Sequence, residues 1–248
     1  MRFTRLPIRS LSEAEPEGEP LSRGAYPGSI PAVAQLLSEG LELGAATVFV
    51  GENGSGKSTL IEGIAMAFGL GSEGGSTGPR RHTRASESPL SDHLALLRGV
   101  GASRRGYFLR AETMHGFYTY LEENPRLPSQ QPDVEFHGLS HGESFLALIQ
   151  DRFRDGGLWI LDEPESALSV TGCLALLQHL VDLLADARSQ VILSTHSPLL
   201  AALPGATILE VGEWGYRRSS WNDLELTRTW QAFFEDPRRF LRHLSSGY

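Results

Sequence analysis

Lysine is nearly missing from this chain: of 22 basic residues among 248, only Lys57 is a lysine, and all the others are arginine. Either a compact ammonium has been kept where a planar guanidinium fork would not fit, or the bias only reflects genome composition. The single cysteine, Cys173, excludes an internal disulfide and a cysteine-rich zinc site, agrees with a reducing cytosol, and is expected to pack inside a helix. Excess positive charge is lacking too. A net charge of -8 and a pI near 5.5 argue against coating nucleic acid through bulk charge. The local clusters at Arg80, Arg81, Arg84, Arg104 and Arg105 read as a solvated face. No apolar run approaches the length of a membrane helix, and the N-terminal MRFTRLPIRS lacks the apolar core of a signal peptide. A soluble, cytoplasmic protein is expected. Repeats, heptads and low-complexity tracts are absent as well.

What is present in full is the pattern GxxxxGKS/T, at Gly51, Glu52, Asn53, Gly54, Ser55, Gly56, Lys57, Ser58 and Thr59. An apolar run, TVFV, leads in, and the amphipathic STLIEGIAMAF leads out, which predicts strand, phosphate loop and helix. Backbone N–H groups of such a loop turn inward on a phosphate, the helix N-terminus adds partial positive charge, and Lys57 can bridge the terminal phosphates. The bland alternative is a glycine turn before a helix.

Around this element the chain reads as follows. Met1 to Arg9 is expected to form an edge strand and SLSEAEPEGEP an acidic loop. Tyr26, in AYPGSIPAV, can stack on an adenine or simply pack within its loop. Ile30 to Leu43 holds a short helix, and GLGSEGGSTGPRRHTRASES is a loop with at most a short strand, able to close over a nucleotide. Leu90 to Val100 reads as helix, GYFLRAET as strand and MHGFYTYLEENP as helix, followed by the loop RLPSQQPDVEFHG. Leu174 to Leu184 is helical, Ala206 to Glu210 a strand, WGYRRSSW a hairpin edge, and helical patterns from Leu226 break at Asp236 and Pro237. Trp214, Trp221 and Trp230 are expected to anchor this end.

Three further stretches carry chemistry. In HGLSHGESFLALIQDRF, Ser140 is placed as an N-cap with Glu143 at the capping-box position, ahead of an apolar face of Phe145, Leu146, Leu148, Ile149 and Phe153. Alone, this is no more than a capping box. The apolar GLWIL, Gly157 to Leu161, then ends in Asp162, Glu163 and Pro164, which places carboxylates on the ligand edge of an α/β sheet. There Asp162 can hold Mg²⁺ and Glu163 can polarise a water. Finally QVIL, Gln190 to Leu193, ends at Ser194, Thr195 and His196, and a histidine at that edge can donate to a phosphate or a water.

In this order the motifs resemble those of ABC-type ATPases: phosphate loop, an LSxGx signature at LSHGE, the LWILDEP strand, and a switch histidine at His196. GENGSGKSTLIE, SHGESFLAL, LDEPESALS and STHSPLL look most like small stand-alone ATPases of that superfamily, often called AAA-family proteins. The resemblance covers most of Ala45 to Pro198. His141 and Glu143 depart from the residues the signature usually carries on either side of Gly142, and Ser169 stands where the family has aspartate. No glutamine loop is evident: Gln130 and Gln131 lie in a proline-rich loop, and HTRASES is the substitute.

The resemblance implies an α/β P-loop NTPase fold, with a mixed sheet flanked by helices and a smaller helical signature sub-lobe. It implies a single domain with a core over about 1–79 and 150–215, the sub-lobe over about 80–149 and a helical extension over about 224–248. It further implies Mg²⁺-dependent ATP hydrolysis at a site completed by a second copy. ATP held by Gly51 to Thr59 of one subunit would receive Ser140 and Gly142 of the other, so that ATP drives a head-to-tail homodimer, a clamp released by hydrolysis. Lys57 would grip the β and γ phosphates, Ser58 and Asp162 would serve Mg²⁺, Glu163 would activate water, and His196 would steady the γ-phosphate. An unidentified protein or nucleic-acid partner is compatible with this. The other readings are an ATPase subunit of a membrane transporter docked on a permease, a kinase, and a nucleotide-binding switch with little hydrolysis.

Overall fold

The computed structural model describes residues 5–14, 19–72, 75–76, 88–111, 141–154 and 156–242. In chain order its strands are β1 (Ser10–Glu13), β2 (Leu41–Glu42), β3 (Ala46–Val50), β4 (Gly75–Ser76), β5 (Leu94–Leu97), β6 (Gly106–Arg110), β7 (Leu158–Asp162), β8 (Gln190–Thr195), β9 (Thr207–Gly212) and β10 (Gly215–Ser219). Its helices are α1 (Pro31–Glu39), α2 (Lys57–Phe68), α3 (His141–Arg152), α4 (Val170–Leu184), α5 (Pro198–Ala201), α6 (Glu225–Glu235) and α7 (Arg238–Leu241).

The apolar runs before the phosphate loop and before Asp162 become β3 and β7, in which every residue is buried. Strands with no solvent face belong inside a parallel sheet covered on both sides. Both lie in a seven-stranded sheet ordered β10-β9-β3-β8-β7-β6-β4. Its five inner strands are mutually parallel, and β10 and β4 close the edges antiparallel. Alternation along the strands splits the core in two. Phe49, Phe108, Ile160, Ile192 and Leu209 face α1, α2 and a small sheet, while Val48, Leu109, Trp159, Leu161 and Leu193 face α3, α4 and α5.

The covering helices follow from sequence spacing. α2 buries Leu60, Ile61, Ile64 and Phe68, and α4 buries Cys173, Leu176, Leu180 and Leu183, each a single apolar stripe. Ser169 starts α4 by accepting the Gly172 N–H at 3.1 Å, a capping role that aspartate would fill equally well. α3 presses Phe145, Leu148 and Ile149 into the second core, and Phe153 just beyond it stacks on Trp159 of β7 with ring centroids 5.0 Å apart. The helix that opens at the signature is thereby anchored to the strand that carries Asp162.

Some expectations are corrected. Of the edge strand predicted at Met1 to Arg9, residues 1–4 lie outside the described residues and 5–9 are not strand; the strand that forms is Ser10–Glu13, inside the stretch read as an acidic loop. It forms because Leu11 is buried and β1 pairs with both β2 and β5. Leu90 to Val100 is not a helix. Pro89–His93 is a 3-10 turn, and Leu94–Leu97 pairs antiparallel with β1, a partner invisible when the segment is read alone. The stretch assigned to a helical sub-lobe from residue 80 also includes β6, which belongs to the seven-stranded sheet. Trp221 does anchor its end, donating its indole N–H to Pro198 O at 2.8 Å, but Trp214 and Trp230 are about half exposed. Arg104 and Arg105 are exposed, as expected of a solvated face, whereas Arg80, Arg81 and Arg84 lie outside the described residues. Among the described residues, no helix is long and apolar enough to cross a membrane.

Candidate active site

Parallel register gathers the functional residues. Val50 pairs with Thr195, Asp162 with Ser194, and Arg110 with Asp162, so the loop after β3 and the ends of β6, β7 and β8 share one edge of the sheet. In an open α/β sheet this carboxyl edge is where ligands bind.

The phosphate loop, Gly51 to Ser58, turns from β3 into α2. Gly56 has φ 98°, and a Cβ there would collide with Ile30 Cγ2. A Cβ at Gly51 would strike the Val211 carbonyl. Only glycine lets the chain turn this tightly and pack this closely. Lys57 folds back over the loop. Its side chain is 2% exposed, and Nζ donates to the carbonyls of Gly51 and Glu52 at 2.9 Å each, 3.4 Å from Glu163 Oε1.

Asp162, 4% exposed, is the best-connected group at the edge. Its Oδ1 accepts from Ser58 Oγ at 3.2 Å and from the Ser194 hydroxyl, and its Oδ2 accepts from Arg110 Nε at 3.1 Å. Arg110 also donates to Glu62 Oε2 at 3.0 Å. Burial works against the charge of Arg110, but Asp162 and Glu62 outweigh it and raise the guanidinium pKa.

Glu163 takes the left-handed conformation at φ 48°, ψ 52°, the sole non-glycine residue with positive φ among those described. That backbone costs about 1–2 kcal/mol. It is held by the Glu163 N–H, which donates to Ser194 O at 3.1 Å and Ser194 Oγ at 3.2 Å. The turn aims the carboxylate between Lys57, at 3.4 Å, and His196 Nδ1, at 3.7 Å. His196 in turn is fastened by Glu165, whose Oε1 accepts its backbone N–H at 2.6 Å and the Thr195 hydroxyl at 2.6 Å. Cys173 has no part in this chemistry: burial, reinforced by the charge of Glu165, pushes its thiol pKa up.

Two family models match the chain: one described as "AAA domain, putative AbiEii toxin, Type IV TA system" over residues 126–202, the other as "AAA domain" over residues 43–102. The "Cytochrome c biogenesis ATP-binding export protein CcmA" of Rhodospirillum rubrum is 30% identical over 183 residues, covering 70% of this chain and 76% of that protein. The chain belongs to the ABC-type ATPase superfamily. Two solved structures are also similar to this ATPase. "An inward-facing conformation of a putative metal-chelate type ABC transporter" is 19% identical with a TM-score of 0.45, over 79% of this chain and 80% of the other. The "SMC head domain from Thermotoga maritima" is 15% identical with a TM-score of 0.42, over 73% and 93%.

In this ABC-type ATPase the fold brings Lys57, Ser58, Asp162, Glu163 and His196 to one place. Ser58 Oγ and Asp162 Oδ1 present two hard oxygens 3.2 Å apart. They fit Mg²⁺, which takes few protein ligands and draws the rest from phosphates and water. No set of three or more His, Cys, Asp or Glu side chains gathers around a common point among the described residues. Gly142 lies near the start of α3, its Cβ position 3.4 Å from Ala167 O, against the turn that follows Glu163. Tyr26 is 63% exposed, and the Ile30 N–H in the same turn bonds Pro27 O at 3.1 Å while the Ile30 side chain packs on Gly56. Ser140, Gln130, Gln131 and residues 82–87 of the HTRASES segment lie outside the described residues, while its last residue, Ser88, is buried and accepts the Leu90 N–H.

Four residues escaped the sequence reading: Glu62, Arg110, Glu165 and Ser194. Arg110 had a usable signal, because it ends an apolar strand as Asp162 does. Glu165, just past Pro164, had a weaker one.

Proposed function

We propose that this ATPase binds ATP with Mg²⁺ on Gly51 to Thr59 and hydrolyses it in the cytoplasm at a site that a second copy completes. The observation that carries the reading is the convergence of Lys57, Asp162, Glu163 and His196 on one sheet edge from three separate parts of the chain. Lys57 leaves its loop carbonyls to grip the β and γ phosphates. Ser58 and Asp162 hold Mg²⁺, which when bound neutralises charge on the phosphate oxygens. Glu163 accepts a proton from the attacking water as its oxygen bonds to the γ-phosphorus and the bond to the β–γ bridging oxygen breaks. His196 donates to the γ-phosphate, and Tyr26 stacks on the adenine.

The signature residues Ser140 and Gly142 of a partner close over the γ-phosphate, so ATP draws two copies into a head-to-tail homodimer and hydrolysis parts them. That dimer serves as a clamp or switch on a protein or nucleic-acid partner. Glu163→Gln should lose nearly all turnover while an ATP-bound dimer accumulates, read by phosphate release and light scattering. Turnover at the wild-type rate would refute the role of Glu163, and a slow rate that the substitution leaves unchanged would favour a nucleotide switch.

Likeness to an ATP-binding export protein favours one second reading, the ATPase subunit of a transporter docked on a membrane permease. Capture with the ATP-loaded Glu163→Gln protein separates the two: an integral membrane protein supports the transporter, and nucleic acid or a soluble protein supports the clamp.

A further inference from the structure

Glu62 and Arg110 belong to no motif, yet they bracket the carboxylate assigned to the metal. Arg110 ends β6 directly opposite Asp162, so the sheet itself sets the guanidinium beside the carboxylate. Its Nε donates to Asp162 Oδ2 at 3.1 Å and its Nη1 to Glu62 Oε2 at 3.0 Å. Asp162 Oδ1 meanwhile accepts from Ser58 and Ser194, so both oxygens of this carboxylate are engaged. Glu62 stands one turn beyond Ser58 on α2, and one helix face therefore reaches Asp162 with the first residue and Arg110 with the second.

A guanidinium on a metal carboxylate needs a reason, because a largely buried ion pair repays its desolvation poorly as a source of stability. A dication arriving at Asp162 would meet a fixed cation 3.1 Å from its own ligand. In a poorly solvated site two positive charges at such range repel strongly. Glu62 resolves the conflict, since Arg110 keeps a carboxylate partner after Asp162 has turned to the metal. Among the described residues the guanidinium thus stands between two carboxylates, Glu62 at 3.0 Å and Asp162 at 3.1 Å.

Resting on the assignment of Asp162 to the metal, we propose that Arg110 is the resting counter-ion of the metal site, and that metal binding moves it from Asp162 onto Glu62. Loading is an exchange of one cation for another, weak until the nucleotide adds its own oxygens, so the site does not fill ahead of ATP. Arg110 and Glu62 act as positioning residues.

Mn²⁺ binding to the full chain, followed by electron paramagnetic resonance with and without a non-hydrolysable ATP analogue, tests this. Without nucleotide, Arg110→Met should bind Mn²⁺ at least about tenfold more tightly than wild type. Glu62→Gln should weaken Mn²⁺ binding in the presence of the analogue by about tenfold and leave metal-free analogue binding unchanged. Equal or weaker Mn²⁺ binding by a folded Arg110→Met protein overturns the exchange. If that variant does not fold, an unchanged Mn²⁺ affinity in Glu62→Gln overturns it instead. Asp162→Asn keeps the two readings apart. Wild-type Mn²⁺ binding in that variant sinks the metal assignment itself, whereas loss of Mn²⁺ there beside unaltered binding in Arg110→Met sinks only the exchange.

Discussion

Glu165 Oε1 accepts the backbone N–H of His196 at 2.6 Å and stands 3.4 Å from the same residue's Nδ1. One carboxylate oxygen thus fixes the main chain, and lies beside the ring, of the residue proposed to act at the γ-phosphate. Its second oxygen is buried and has no hydrogen-bond partner among the described residues. Removing this support frees the imidazole to rotate without touching any residue of the phosphate loop. Glu165→Ala should lower kcat by about 10- to 100-fold with KM for ATP nearly unchanged. Glu165→Gln, which can still accept from the His196 N–H, should lose much less; steady-state kinetics of the two variants checks the ordering.

Gln190 holds the opposite end of β8. Fully buried, it accepts the Ile8 N–H at 2.8 Å and donates to Ile8 O at 2.7 Å and Gly44 O at 2.9 Å. Gln190→Leu keeps the volume but leaves those backbone groups unpaired, at a cost of about 3 kcal/mol. Urea unfolding should register that loss while ATP turnover, measured well below the transition, stays at the wild-type rate.

How much of this was legible before the fold depends on whether a residue's partner lies in its own segment. Lys57 and Asp162 were readable because a buried apolar run followed by a glycine loop or a carboxylate is a local pattern. Arg110 ends β6 in the same way, but GYFLRAET read as one longer strand and the edge was lost inside it. Ser194 became visible only through register, since its hydroxyl finds Asp162 across the β7–β8 pair. β1 was misread for a related reason: SLSE is polar and precedes an acidic, proline-containing stretch, and its strand character comes from β2 and β5, which follow it by about 30 and 80 residues.

Tyr216 offers a pH test of the fold. Its hydroxyl donates to Gly40 O at 2.9 Å, and burial, helped by the charge of Glu39, raises its pKa to about 12. Because the folded value lies above the unfolded one near 10, the protein is stabilised while the phenol is neutral in both states. That contribution is complete below about pH 10, declines between about pH 10 and 12, and amounts to about 2–3 kcal/mol. Tyr216→Phe should flatten this part of the stability profile, as the difference between variant and wild type in unfolding free energy across the alkaline range.

Ser194 joins the two acidic residues of the site, and its loss should fall on one far more than on the other. The hydroxyl donates to Asp162 Oδ1 and lies 3.2 Å from the Glu163 N–H, while the Ser194 carbonyl accepts that same N–H at 3.1 Å. In Ser194→Ala the carbonyl remains, so the left-handed turn of Glu163 and the aim of its carboxylate survive. Asp162 loses one donor of three but keeps Ser58 and Arg110. With one hydrogen bond removed at a fully buried position, stability should fall by about 1 kcal/mol. Asp162, less firmly oriented, should need about tenfold more Mg²⁺ for half-maximal turnover, while the rate at saturating Mg²⁺ stays within a few-fold of wild type. A Mg²⁺ titration of turnover decides the matter: an unshifted midpoint with a collapsed maximal rate would mean that the hydroxyl serves Glu163 instead.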